Sequence, residues 1–264
     1  MKKLPFDLYT ENKDGVVIIA HRGASAYYPE NTMSAFRAAY EMRAEMIELD
    51  IGLSSDGIPV VIHDSDLDRT TNGSGNVSDF TFEELRQLDA GAWFGEKHAG
   101  EKIPSLEEVL QFAAGKIALN IEIKSEAVTD SAYNGIEEKS LALVKKYRMQ
   151  KYVMFSSFDY RAINHLKELD VDISVALLYE KSQSSGRGPV QLISDYSADA
   201  FNCSYRQFSK KWANATQTAQ IPVFVYTVNE KRRMKKMIQR GVSGIFTDNP
   251  DVLLRLVDNM WKTK

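Results

Sequence analysis

The sequence predicts an α/β protein, a (β/α)8 TIM barrel with a small cap inserted after a hairpin on its second strand. Three observations carry this expectation. Short apolar runs recur from residue 16 onward and alternate with helical stretches. The run at 46 to 64 turns back through Ser54-Ser55-Asp56-Gly57, too short for a parallel crossover of about a dozen residues, so it forms an antiparallel hairpin. Most other polar clusters fall at the carboxyl ends of the strands, the face that holds the active site in such barrels. An open doubly wound sheet is the structural alternative, but no Gly-rich phosphate fingerprint follows the first strand.

The first strand, 16–20, ends in His21-Arg22-Gly23, where Gly23 lets the backbone turn away. Asn31-Thr32 supplies an N-cap for a helix to about Arg43, with Met33, Phe36, Ala39 and Tyr40 as its buried stripe. In the second strand, 46–51, Ile47, Leu49 and Ile51 alternate with Met46, Glu48 and Asp50, so two carboxylates share one face. Pro59 to Ile62 returns antiparallel and brings His63-Asp64 back beside that pair.

Residues 65 to 103 then break the rhythm. A turn cluster at 70–76, a capping box at Thr81-Phe82-Glu83-Glu84 and a loop containing Trp93 and Phe94 read as an inserted cap. The segment is too short for a core of its own. A second capping box, Ser105 to Glu108, opens a helix to about Ala114. Strands follow at 117–123, 152–155, 173–178, 200–203, 223–227 and 244–246. Helices are expected around 131–148, 159–169, 205–218 and 230–239, and a last one opens at Asn249-Pro250. Residues 182–188 read as a mobile loop. The whole chain, 1–264, reads as one domain with its cap at about 65–103.

Composition narrows the partners. Lys plus Arg is 33 against 36 Asp plus Glu, and the net charge of −3 argues against a general nucleic-acid binder. Cys203 is the sole cysteine, which excludes an intrachain disulfide and fits a reducing, cytoplasmic compartment. Met1-Lys2-Lys3 is followed by Pro5, Asp7, Glu11, Lys13 and Asp14 rather than by the apolar core of a secretory signal. No apolar run is long enough to span a bilayer. The runs Lys231-Arg232-Arg233 and Lys235-Lys236 read as a solvated helix face.

The chemistry concentrates in His21, His63, Glu48, Asp50, Glu122, Arg22 and Lys124. Carboxylate ligation suits a hard cation, Mg²⁺ or Ca²⁺, whereas zinc prefers nitrogen or sulfur. Histidines titrate near neutrality and suit acid–base work, and Arg22 and Lys124 suit a phosphate. Together these residues describe metal-assisted phosphoryl transfer.

Several segments, in order, resemble the glycerophosphodiester phosphodiesterase family. They are His21-Arg22-Gly23, Pro29-Glu30-Asn31-Thr32, Glu48-Leu49-Asp50, His63-Asp64 with Leu67 to Thr71, Glu122-Ile123-Lys124 and Gly244 to Pro250. The resemblance runs from about 16 to 255. It implies a capped barrel that uses a divalent cation to hydrolyse glycerophosphodiesters to sn-glycerol 3-phosphate and an alcohol. It also implies that Glu48, Asp50 and Glu122 bind metal, that His21 is the general base and His63 the general acid, with the reverse assignment left open by the sequence, and that Arg22 and Lys124 hold the phosphate. The attacking group is expected to be the glycerol 2-hydroxyl, giving a cyclic 1,2-phosphate. Tyr226 stands where the family often has tryptophan; it and Phe158 are expected to line the substrate pocket, with Trp93 and Phe94 as further candidates. Glu30 is expected either to orient His21 or Arg22 or to belong to the helix entry. The competing readings are a related phospholipase acting at a membrane and a barrel that only binds metal or phosphate.

Overall fold

The computed structural model describes residues 4–9, 15–129 and 133–262. Among them, eight parallel strands close a barrel: β1 (Val17–His21), β2 (Met46–Leu53), β4 (Ala118–Ile123), β5 (Val153–Ser157), β6 (Ser174–Leu178), β7 (Ala200–Ser204), β8 (Val223–Tyr226) and β9 (Gly244–Thr247). β1 pairs with both β2 and β9, which seals the ring. The remaining strand, β3 (Pro59–Val61), lies antiparallel to the end of β2, pairing Leu53 with Pro59 and Ile51 with Val61. This is the expected barrel with its hairpin.

Strand alternation sorts the core into two layers. Ile47, Leu49, Ile121 and Phe155 point outward and pack under the surrounding helices. Val17, Ile19, Met46, Ala118, Met154 and Phe224 point inward at the amino ends of the strands, and Phe6 joins this inner cluster. The inner positions nearer the carboxyl ends are polar, so the chemistry sits above an apolar plug.

The helix signals hold where capping chemistry defines them. Thr32 caps α1 (Met33–Glu41), accepting from the Ala35 amide at 3.3 Å. Thr81 and Glu84 close a capping box on α2 (Phe82–Gln87), and Ser105 and Glu108 close one on α3 (Leu106–Ala113). The helix expected from 131 is α4 (Ile136–Lys146); residues 131 and 132, like Met1-Lys2-Lys3 and the 11–14 segment, lie outside the described residues. α5 (Tyr160–Leu169) follows as expected.

Three local expectations need correction, the first being Tyr40, expected in the buried stripe of α1 but exposed on it. Residues 182–188 are not simply a loop: α6 (Lys181–Ser184) buries Ser184, and α7 (Pro189–Asp195) follows with Pro189 at its first position. The helix expected from 205 is α8 (Lys210–Thr218) and begins only after Ser209, whose hydroxyl caps it by accepting from the Trp212 amide at 3.2 Å. The cap's core is not its own, as its length implies. Leu67, Val77, Leu85, Ala90 and Ile103 pack on Val60 and Ile62, so the hairpin supplies the apolar surface that the cap's length denied it. Beyond β8, α9 (Lys231–Gln239) and α10 (Pro250–Lys262) complete the ring.

Candidate active site

The site begins with register. Glu48 on β2 sits opposite Asn120 on β4, and Asp50 opposite Glu122, so inward-facing residues stack in two adjacent levels. Carboxylate oxygens of Glu48, Asp50 and Glu122 lie within 4.8 Å of one another. Burial raises the pKa of Glu48 and of Glu122, and the charge of Asp50 raises both further. Asp50 goes the other way. Burial opposes its ionisation, but Arg22, Lys124 and His63 surround it and Asn31 donates to it at 2.9 Å, so its pKa is lowered. Three hard oxygen donors pressed together against their own repulsion fit a divalent cation such as Mg²⁺ or Ca²⁺.

Two cations border the acids. Lys124 Nζ lies 3.0 Å from Glu122 and 3.4 Å from Asp50. Arg22 Nε lies 3.3 Å from Asp50, while its Nη1 donates to Glu30 at 2.7 Å. Arg22 holds a left-handed backbone, φ 55°, that a non-glycine residue adopts at a cost. Its amide donates to Glu48 at 2.9 Å, and Gly23 beside it shares the left-handed conformation at φ 85°. Glu30 is therefore an orienting partner of Arg22, not of His21, and it also accepts from Arg69 of the cap at 2.8 and 2.9 Å.

Each histidine has an aspartate behind it. His21 Nδ1 lies 2.7 Å from Asp248 Oδ1, and His63 Nδ1 lies 2.5 Å from Asp64 Oδ1. Asp64 is pulled down to about 2, first by its hydrogen bond from Arg69, so it is ionised and can only accept. Asp248 is also held below the usual range: burial opposes this, but bonds from His21, Asn229 and Ser25 outweigh it. Both Nδ1 atoms therefore carry their protons toward the aspartates, leaving Nε2 for chemistry. Burial disfavours the charged form of both rings. Glu48 and Asp248 overcome this at His21, whose pKa is raised. At His63 burial, aided by Arg22 and Lys124, outweighs Asp50 and Asp64, and its pKa is lowered.

A cavity of about 220 Å³ at the carboxyl ends of the strands brings together His21, Arg22, Glu48, His63, Glu122, Lys124, Phe158 and Tyr226; Asp50 lies buried against them. Phe158 and Tyr226 meet edge to face, 6.2 Å between centroids. Asn120 donates to Ser156 at 2.9 Å, and its side-chain oxygen has no partner among the described residues. Trp93 and Phe94 pack on each other and line neither this cavity nor the one adjoining it at His63. The sequence reading named neither Asp248 nor Asp64 as a partner. Both lie in segments that carried the resemblance, but no spacing rule links Asp248 to His21 across 227 positions.

The family model described as "Glycerophosphoryl diester phosphodiesterase family" matches residues 21–252. A glycerophosphodiester phosphodiesterase from Caldanaerobacter subterraneus subsp. tengcongensis is 42% identical over 242 residues, covering 91% of this chain and 97% of that protein. A crystal structure of glycerophosphodiester phosphodiesterase from Agrobacterium tumefaciens superposes with a TM-score of 0.80 at 28% identity, over 91% of this chain and 100% of that one. An Oleispira antarctica phosphodiesterase, solved in complex with the product sn-glycerol-3-phosphate, superposes with a TM-score of 0.80 at 29% identity, over 91% of this chain and 96% of that one. The likeness extends over most of the chain in sequence and in barrel fold, and the chain belongs to the glycerophosphoryl diester phosphodiesterase family.

Proposed function

We propose that this chain hydrolyses glycerophosphodiesters to sn-glycerol 3-phosphate and an alcohol in a divalent-cation-dependent reaction, with residues 1–264 acting as one capped barrel domain. The observation that carries the reading is the convergence of two His–Asp pairs and two cations on a buried triad of carboxylates around one cavity. Glu48, Asp50 and Glu122 are the residues that would hold the cation, Mg²⁺ or Ca²⁺. When bound, the cation would supply Lewis-acid charge at the phosphate and cancel the Glu48 charge that lifts His21.

Arg22 and Lys124 hold the phosphate oxygens and offset the charge that builds on them. Phe158 and Tyr226 press on the glycerol carbons and hold its 2-hydroxyl beside phosphorus, so that attack is intramolecular. His21 Nε2 accepts the hydroxyl proton while Asp248 steadies the imidazolium. His63 protonates the departing alcohol. The diester's own negative charge, paired to Arg22 and Lys124, offsets two of the causes that hold the His63 pKa down. Water then opens the cyclic 1,2-phosphate with the histidines in exchanged roles.

The phospholipase reading needs an apolar docking surface at the barrel mouth. Trp93 and Phe94 are its candidates; Trp93 is exposed, but the two form a mutual contact on the cap and line neither cavity. No described helix is long and apolar enough to cross a membrane. The lone buried Cys203 supports a reducing, cytoplasmic setting. A coupled assay for glycerol 3-phosphate, run on glycerophosphodiesters with and without chelator, tests the reading. Release that is abolished by chelator and restored by Mg²⁺ or Ca²⁺ is expected; release indifferent to chelator removes the metal role.

A further inference from the structure

We propose that the second cavity, adjoining the catalytic one, is the pocket for the leaving alcohol and that it favours small alcohols with alkyl or N-methyl surface over polyhydroxylated ones. The inference rests on the phosphodiesterase reading and adds which diesters are preferred. The cavity measures about 230 Å³, and His63 and Lys124 line both it and the catalytic cavity. Phe158 and Tyr226 line only the catalytic one.

That partition orients the substrate. In phosphoryl transfer the attacking and leaving oxygens lie roughly in line on opposite sides of phosphorus. Glycerol against Phe158 and Tyr226, with phosphate at Lys124, leaves the departing oxygen at His63. Whatever is bonded to that oxygen enters the second cavity.

The walls define the class. Leu53 from the end of β2, Ile62 after β3, Val77 from the cap and Ala127 beyond β4 give it apolar faces, while Ser65, Ser78, Glu126 and Thr129 line it from exposed positions. Asp64 also lines it but is committed to His63 and Arg69. Hydroxyls of a polyol set against the four apolar side chains would lose water without a replacement partner there, and only those on the exposed side could reach the Ser65, Ser78 and Thr129 hydroxyls. Methyl groups would be sheltered against the apolar faces, and the Glu126 carboxylate on the same cavity complements a cationic head. The volume is below the roughly 300–1,000 Å³ of sites for drug-sized ligands, a size that suits a short alcohol.

The test is a kcat/KM panel on the full-length enzyme with its cation, using the glycerol 3-phosphate diesters of methanol, choline, ethanolamine and glycerol. Choline should exceed glycerol by at least about tenfold, the scale that apolar pockets achieve. Ala127→Leu, which fills the pocket, should reduce the choline diester at least about tenfold more than the methyl diester, which has nothing to place there. Leu53→Ala, which enlarges the pocket, should shift the ratio toward bulkier alcohols. Equal losses on methyl and choline diesters in the first variant, an unmoved ratio in the second, or a native preference for glycerol overturns the assignment. A native enzyme that cleaves none of the four refutes the phosphodiesterase reading itself, a result distinct from a native enzyme that cleaves all of them alike.

Discussion

Replacing Asp248 with asparagine should disable His21 without disturbing the carboxylate triad. Asp248 Oδ1 accepts from His21 at 2.7 Å and from Ser25 at 3.1 Å, while Oδ2 accepts from the Asn229 amide at 2.5 Å. Asn229 is locked in that orientation because its own oxygen accepts from the Asp248 amide at 2.9 Å and from Thr247 at 3.1 Å. An amide at 248 that turned its NH2 toward Asn229 would set two donors face to face. It must turn that group toward His21 instead. Nδ1 then becomes an acceptor, the ring proton moves to Nε2, and the nitrogen needed for proton abstraction is occupied. General acid–base catalysis contributes about 10²–10⁴-fold, so at 1.36 kcal/mol per tenfold the barrier rises by roughly 2.7–5.5 kcal/mol. Steady-state release of glycerol 3-phosphate should show kcat reduced by that factor and KM within about threefold of the native value. Asp248 also raises the His21 pKa, so the acid limb of the residual activity should move to lower pH. Cation affinity by calorimetry should hold. A variant whose kcat stays within about threefold of native would refute the tautomer argument.

Four further outcomes are expected. Glu122→Gln should weaken divalent binding by at least about tenfold in calorimetry, with the melting temperature of the metal-free protein not lowered; unchanged affinity would remove Glu122 from the metal site. Cation affinity should rise with pH until both Glu48, raised to about 8, and Glu122, raised to about 7, have released their protons. The linked stability has the opposite sign. Folded pKa values above 4.5 favour the metal-free fold at acid pH and lose that contribution as pH rises through them, so the thermal shift on adding cation should be largest at pH 8 and a flat profile from pH 5 to 8 would exclude the linkage. Gly23→Ala should cost roughly 2–5 kcal/mol in urea unfolding, from left-handed strain and from a Cβ only 2.7 Å from the Ala35 backbone; a loss below about 1 kcal/mol would show that the turn can relax. A diester of 2-deoxyglycerol should react at least about a hundredfold slower than its glycerol counterpart, and equal rates would replace the cyclic intermediate with direct attack by water.

The barrel was legible because each strand is a short apolar run and each capping box marks a helix start by its own hydrogen bonds. The acids were legible because strand period puts Glu48 and Asp50 on one face whatever the surroundings. What stayed hidden depended on distant partners. α7 follows a Gly-rich stretch and is held by packing of Leu192 rather than by a side-chain cap. The cap's core borrows Val60 and Ile62 from the hairpin, a pairing that no spacing within residues 65–103 announces. The Glu30–Arg69–Asp64 bridge between the first turn of the barrel and the cap joins residues whose spacing carries no periodic signal. Trp93 and Phe94 suggested a substrate wall by residue type alone, and they pack within the cap instead.

The seam between β1 and β9 sets an order of assembly. The carboxylate triad comes from β2 and β4, early in the chain and adjacent in the sheet. The His21–Asp248 pair forms only when the last strand docks beside the first. Loop closure over such separations is slow, and synthesis delivers Asp248 well after the three acids. A nascent or truncated chain ending before residue 244 therefore carries the three acids without the dyad, and acquires cation-holding carboxylates before it acquires proton transfer. Turnover becomes a reporter of ring completion: in refolding experiments, the return of activity should lag the return of cation binding by the time the seam takes to close.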